Sequence, residues 1–268
     1  MTAAIPRRLI NSDVVTATFA YVQVRLQARH GARPDETVWR HLQGTSDFAN
    51  YLQLARRTSL RHWVTTLDPG LGSDDIEGEL RRLFRRHVDE VAGWVPPAWR
   101  PAVRWVRRLP DLPALQYLLG DAPVPAWLQN DAELREMGCL PAESRRDILE
   151  QSDCNIFLTA FQAGEPFPDA WISHWRTLWP RTARQDPGLE KLGKALHQYL
   201  RVLQADACDS VQTRCETLHV QLVGAFRRYS FQPAAVFSYL ALTALELARL
   251  RGDLLVRQLF DTNLEQVA

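Results

Sequence analysis

With 268 residues, 46% of them hydrophobic and 24% charged, the chain has apolar content enough for one large core or two to three small lobes, and a disordered polymer is excluded. Its net charge of +1 argues against the basic excess of a nucleic-acid-binding domain. Only Lys191 and Lys194 are lysines, so the positive charge is almost all arginine, a residue suited to bidentate pairs, ring stacking and interfaces.

Apolar residues recur at i, i+3 and i+4 along nearly the whole chain, which predicts helices. The first covers residues 14–27, capped by Ser12 or Asp13 and ended by Gly31 and Pro34. Residues 35–42 form a short helix, and Ser46 caps another whose apolar face carries Phe48, Tyr51, Leu52 and Ala55. A turn at Asp68-Pro-Gly-Leu-Gly precedes Ser73, whose hydroxyl and following acids open a helix through Leu80, Phe84 and His87 to Gly93. Pro96, Pro97 and Pro101 bracket a helix over 98–109, and a shorter one over 111–119 is closed by Gly120. The stretch Asp121-Ala-Pro-Val-Pro reads as a linker between lobes. Helical segments follow at 127–137, 143–151 and 152–163. A proline-interrupted region, 166–187, separates these from helices at 189–205, 211–228 and 234–259. No stretch alternates at period two over a strand's length, so the fold class is all-α.

One internal repeat stands out: Leu42-Gln-Gly-Thr-Ser-Asp-Phe-Ala-Asn-Tyr-Leu52 lines up with Ile148-Leu-Glu-Gln-Ser-Asp-Cys-Asn-Ile-Phe-Leu158. In each copy the serine is placed to cap a helix, the aspartate to sit near its positive end, and the later aromatic–leucine pair to face a core.

Catalytic patterns are sparse. The chain has no Walker-type phosphate loop, nucleophile elbow or His-Glu-x-x-His, so no catalytic site and no cofactor are expected. Cys208, Cys215, Glu216 and His219 share helical spacing but lack ligands paired from two elements, so buried thiols and a surface histidine are expected, not a metal site. The four cysteines form no Cys-x-x-Cys pair, and Met-Thr-Ala-Ala-Ile-Pro-Arg-Arg lacks the order of a signal peptide, so reduced thiols in a cytoplasmic protein are expected. The longest apolar run, 234–245, is shorter than the ~18 residues of a membrane span and is broken by Ser238 and Thr243. His62, Trp63 and His87 read as ordinary helix residues. Arg81-Arg82, Arg85-Arg86 and Arg107-Arg108 read as solvated or paired faces. Trp171, Trp175 and Trp179, at i, i+4 and i+8, form an aromatic ridge that is either core packing or a docking surface.

The segment from Tyr229 to Arg251 is the most telling. Pro233 opens an almost wholly apolar helix that carries one acid, Glu246, with Arg249 and Arg251 behind it. A lone acid in such a helix needs a cationic or hydrogen-bonding partner. Arg251, or Arg25 of the first helix, is the expected partner, and the pair would tie the ends of the chain together.

The aromatic-Pro-aromatic-Tyr-Leu-Glu-Leu-Arg order of this segment resembles the closing helix of the V-type and A-type ATPase central-stalk subunit called d in eukaryotes and C in prokaryotes. Other segments resemble that family in the same order. These are Phe19, Tyr21 and Arg25; Trp39 to Leu42; Ser46 to Thr58; Ile76-Glu-Gly-Glu-Leu-Arg-Arg-Leu; Asp111-Leu-Pro-Ala-Leu-Gln-Tyr-Leu-Leu; Met137-Gly-Cys-Leu-Pro-Ala-Glu-Ser; and Leu189-Glu-Lys-Leu-Gly-Lys-Ala-Leu-His-Gln-Tyr-Leu. The resemblance implies a funnel-like array of three-helix lobes with pseudo-threefold internal repeats. Because the chain is short for the family, a reduced third lobe is implied, giving 1–120, 121–188 and 189–268 as lobes. It further implies a non-catalytic socket between the central-shaft subunits and the membrane proteolipid ring of a rotary ATPase moving protons or sodium. Such a protein would sit at the cytoplasmic face of the membrane with no span of its own and no nucleic-acid partner. Tyr21, Arg25, Pro233, Tyr239, Glu246 and Arg251 are the family-motif or ion-pair positions. The alternative is a helical adaptor for another soluble partner.

Overall fold

The computed structural model describes residues 7–120, 124, 128–129, 131, 133–204 and 208–267. Among these there are helices and no strands, as an all-α reading requires. In chain order the helices are α1 (Arg7–Gly31), α2 (Glu36–Gln43), α3 (Phe48–Ala55), α4 (Arg61–Val64), α5 (Ser73–Trp94), α6 (Arg100–Trp105), α7 (Leu112–Leu119), α8 (Arg135–Gly138), α9 (Ala142–Gln151), α10 (Asn155–Ala163), α11 (Phe167–Thr177), α12 (Pro187–Gln204), α13 (Cys208–Arg228) and α14 (Pro233–Val267). The expected linker at 121–125 lies, apart from residue 124, outside the described residues. Of the expected helix at 127–137, residues 127, 130 and 132 lie outside them, and the described part is helical at 128–129 and again from Arg135, with a turn at 133–134 between.

Local chemistry explains where the boundaries differ from the sequence reading. Helix α1 begins at Arg7, so Ser12 and Asp13 lie within it and do not cap it. Asp35 caps α2 by accepting from the Val38 N–H at 2.9 Å. In the first copy of the repeat the cap is Asp47, not Ser46: its carboxylate accepts from the Asn50 N–H at 2.6 Å. In the second copy Ser152 ends α9 and accepts from the Cys154 N–H, so α10 starts three residues later. The helix expected over 98–109 is broken into a 3₁₀ turn (Pro97–Trp99), α6 and a second 3₁₀ stretch (Val106–Asp111) that contains Pro110. The proline-interrupted region contains an 11-residue helix, α11, because Pro166 and Pro168 stand at its start, where a missing N–H costs nothing.

The chain divides into two compact units. One takes residues up to Ala28, His87–Leu109 and Thr159–Thr243; the other takes Arg29–Arg86, Pro110–Leu158 and the residues from Ala244 onward. Helices α1, α5, α10 and α14 contribute residues to both.

The first unit is held by aromatic packing. Trp171 and Trp175 of α11, and Trp179 just beyond its end, are 1%, 0% and 3% exposed, which makes the ridge core and not a docking surface. Trp175 stacks on Trp171 at 5.8 Å between centroids and meets Trp179 and Phe237 edge-on at 4.9 Å each. Trp105 stacks on Trp171 and donates its indole N–H to the Trp171 carbonyl at 3.1 Å. From Phe237 the contacts run on through Trp99 to Phe19. Rings in these geometries add about 0.5–1.5 kcal/mol per pair beyond their burial. Asp169 of α11 joins that helix to α12 by accepting from Arg201 at 2.8 Å and contacting His197 at 2.5 Å. Between α13 and α14 the chain turns through Phe231, whose φ of 66° is the left-handed region a bulky residue avoids. Its N–H reaches the buried Gln23 side chain at 3.3 Å, which helps hold the turn.

The second unit is held differently. Arg81, Arg85, Asp111, Asp131, Arg145, Glu246 and Arg257, every buried charged side chain among the described residues, fall in it. Around them lies an apolar core of Trp39, Tyr51, Leu52, Trp63, Ile76, Phe84, Leu115, Phe157, Leu250 and Leu254, among others.

Along α14, Pro233–Leu259 is long and apolar enough on average to cross a membrane, although no unbroken apolar run of that length exists in the sequence. Some 72% of that window is buried inside the protein, the mark of a core helix. Its buried hydroxyls are satisfied within the helix: Ser238 donates to the Ala234 carbonyl at 2.7 Å and Thr243 to the Tyr239 carbonyl at 3.1 Å.

Candidate functional site: a polar seam along the last helix

Glu246, Arg249, Asp253 and Arg257 follow one another at intervals of three or four residues, so they share a face of α14. Fully buried Leu250 and Leu254 lie between them. Each polar member engages the segment between Arg33 and Tyr51 or a residue close to it. Glu246 accepts from the Arg33 guanidinium at 2.8 Å through one oxygen and from the Trp63 indole N–H at 2.9 Å through the other. Its side chain is 4% exposed and that of Arg33 15%. Burying the acid is therefore compensated at both oxygens, one of them by a charge.

Arg33, not Arg251 or Arg25, is thus the partner of Glu246. The guanidinium that pairs must come from the chain just after α1, where it leaves the helix at Gly31. Arg251 points elsewhere and pairs with Glu77 of α5. Five residues along a helix turn through about 500°, leaving the two side chains about 140° apart around the axis, so Glu246 and Arg251 do not stack as i, i+4 pairs do. Arg25 belongs to the first unit, where it bonds the Tyr21 hydroxyl at 2.6 Å and lies 4.4 Å over the Trp94 ring.

One turn beyond Glu246, Arg249 holds Glu36 bidentately at 2.9 and 3.0 Å while its guanidinium stacks 4.5 Å over Trp39. Asp253 accepts from the Tyr51 hydroxyl at 3.2 Å. Burial, then the negative charge of Asp253, push that phenol well above the usual tyrosine range, so it stays a donor at any physiological pH. Arg257 lies 4.2 Å over the Tyr51 ring and donates to the Thr45 carbonyl at 2.7 Å and the Leu42 carbonyl at 3.4 Å. A cation there complements the negative end of α2.

Through Arg251, Glu77 joins α14 to a second buried network. It pairs with Arg81 at 2.8 Å as well as with Arg251. Arg85 is clasped between Asp111 at 2.5 Å and Asp131 at 3.0 Å. Asp131 also accepts from the N–H groups of Glu133 and Leu134, fixing the start of α8. Burial alone would raise the Asp131 carboxyl; the hydrogen bond and charge of Arg85 outweigh it and hold it below the usual carboxylate range. Arg145, donating to the Leu118 carbonyl at 3.1 Å, secures the end of α7 as Arg257 does that of α2.

Of the positions singled out in the sequence, Glu246 lies in this seam, Arg251 points away from it to Glu77, and Tyr21 and Arg25 bond one another in the other unit. Pro233 opens α14, and the buried Tyr239 places its hydroxyl 3.0 Å from the His87 ring nitrogen, also in that unit. The sequence reading missed Arg33, Glu77, Asp131 and Arg257 and the polar contacts of Tyr51, Trp63 and Asp111; it left Arg81 and Arg85 as solvated or paired, and they are buried and paired. For Arg81 and Arg85 a signal existed: they fall on α5 beside Leu80, Phe84 and Val88, with Glu77 one turn before Arg81. Cys215 lies against the Tyr199 hydroxyl at 3.4 Å, Glu216 and His219 are exposed, and the Cys208 side chain lies outside the described residues. The chemistry the seam supports is mechanical: charge-assisted hydrogen bonds, closed on both sides, fixing one long helix to the helices before and beside it. No family model matches the chain, and no curated protein or solved structure matches it significantly.

Proposed function

We propose that the chain is a non-catalytic central-stalk subunit of a rotary V/A-type ATPase, coupling a rotating shaft to a membrane proteolipid ring for proton or sodium transport. In this reading three helical lobes, 1–120, 121–188 and a reduced 189–268, form a funnel with pseudo-threefold repeats at the cytoplasmic face of the membrane. ATP hydrolysis and ion movement belong to other subunits. The observation that carries the reading is the seam on α14, the helix in which the family resemblance is densest. Glu246, Arg249, Asp253 and Arg257 fix three successive turns of that helix by paired charges, which suits an element that must transmit force without slipping. The ordered series of family-like segments from Phe19 to Arg251 supports it. A helical adaptor for another soluble partner is the second reading, favoured by the exposure of Tyr21 and Val24 on α1. Native gels of detergent-solubilised membranes, with mass spectrometry of the bands, separate the two. The rotary reading expects this chain to comigrate with shaft and ring subunits; migration alone or with an unrelated soluble protein contradicts it.

A further inference from the structure

On α1, Val22, Gln23 and Leu26 face the core, while Tyr21, Val24 and Arg25 face outward at i, i+3 and i+4. Tyr21 and Val24 are 55% and 65% exposed. Single exposed apolar residues are ordinary; what distinguishes this place is the cation among them. The Arg25 guanidinium lies 4.4 Å over Trp94 and 5.4 Å over Tyr21, and donates to the Tyr21 hydroxyl at 2.6 Å. Among the described residues no carboxylate pairs with it. The contrast is with Arg33, Arg81, Arg82, Arg85, Arg176, Arg201, Arg249 and Arg251, each of which reaches an acid. Arg25 is therefore held against rings on an exposed face, with one hydrogen bond and no counter-charge among the described residues.

We propose that Tyr21, Val24, Arg25 and Trp94 form a docking surface for a helix of a protein partner that presents an aspartate or glutamate flanked by aliphatic residues. Tyrosine, tryptophan and arginine are the side chains that dominate binding energy at interfaces, and an arginine already ordered by stacking loses little entropy when a carboxylate arrives. The carboxylate takes the free edge of the guanidinium, and the aliphatic flanks cover Val24 and the Tyr21 ring. A nucleic-acid strand fits worse, because phosphate backbones are gripped by rows of cations and this one stands among apolar neighbours. The inference goes beyond the rotary reading and holds or fails separately from it.

The test is site-specific photocrosslinking in the full chain, with benzoylphenylalanine in place of Val24, followed by sequencing of the crosslinked peptide. The expected adduct is one segment of one partner with an acid within a helical turn of the crosslinked residue. Arg25→Glu should lower its yield about tenfold or more, the loss of one interface hot spot. Exchanging the partner's acid for arginine should restore the yield in the Arg25→Glu background. The circular dichroism and melting temperature of Arg25→Glu should match the parent, since the side chain is exposed. An adduct lacking a nearby acid, an adduct with RNA, a yield indifferent to Arg25→Glu, a charge exchange that restores nothing, or no adduct at all would overturn the proposal.

Discussion

Removing the Glu246 carboxylate should cost stability through two separable contacts. Glu246→Ala takes from Arg33 the carboxylate it pairs with and from the Trp63 indole N–H its acceptor. Breaking a buried pair costs ~3–5 kcal/mol, and because 15% of the Arg33 side chain is exposed and regains water, the lower end, about 3 kcal/mol, is expected. Glu246→Gln keeps the shape and one acceptor for Trp63 but loses the charge, so about 1.5–2 kcal/mol is expected. Trp63→Phe deletes the indole donor and part of a buried ring, and should cost about 1–3 kcal/mol. Urea unfolding followed by far-UV circular dichroism gives each value. A double-mutant cycle between Glu246→Gln and Arg33→Met should show coupling of about 1 kcal/mol or more, since the two side chains touch. If the two changes add within about 0.3–0.5 kcal/mol, the pair does not hold the helix and the reasoning about the seam is refuted.

The clasp on Arg85 makes stability depend on acid. Asp131 has its carboxyl below the usual range when folded and at that range, about 4, when unfolded. Between the two values the unfolded chain binds the extra proton, so the contribution is complete above the unfolded value and disappears as pH falls through the folded one. Asp131→Asn should accordingly flatten the acid limb of a stability–pH curve measured by thermal melts, and an unchanged limb would refute the assignment. Phe231→Gly should stabilise by about 1 kcal/mol, because the left-handed backbone costs a bulky residue ~1–2 kcal/mol and glycine gives back part of the gain in chain entropy; a melting temperature that falls contradicts this. Trp175→Ala should destabilise by about 3–5 kcal/mol, since the ring is fully buried against Trp171, Trp179 and Phe237. A loss below about 1 kcal/mol in urea titration would show the ridge to be loosely packed.

Periodicity made most helices legible, because the 3.6-residue repeat of apolar positions is a local property. It located α5, α7, α12 and α13 to within a few residues of their observed limits, whereas α14 runs on to Val267, past the expected end at 259. It failed where local chemistry outvoted the pattern. Proline reads as a break, yet Pro168 and Pro101 stand in the first turns of α11 and α6, while Pro110 falls in the 3₁₀ stretch that follows α6. The tryptophan spacing of i, i+4 and i+8 already pointed to a helix there. At the site, the need of Glu246 for a partner follows from its apolar neighbours, a local fact. The identity of that partner does not, because Arg33 is 213 residues away in sequence and only the folded path of the chain after α1 selects it over Arg25. The same distance hides the acids that clasp Arg85: Asp111 and Asp131 lie in separate segments with no pattern linking them to α5.

Whether this chain joins a shaft to a membrane ring is tested most directly by coupling in inverted membrane vesicles, with ion uptake and ATP hydrolysis followed together. Stripping the chain from the vesicles should leave ATP hydrolysis running while uptake drops to background, and adding the purified chain back should restore uptake. Uptake that keeps its full ratio to ATP hydrolysed after the chain is gone would contradict the rotary assignment.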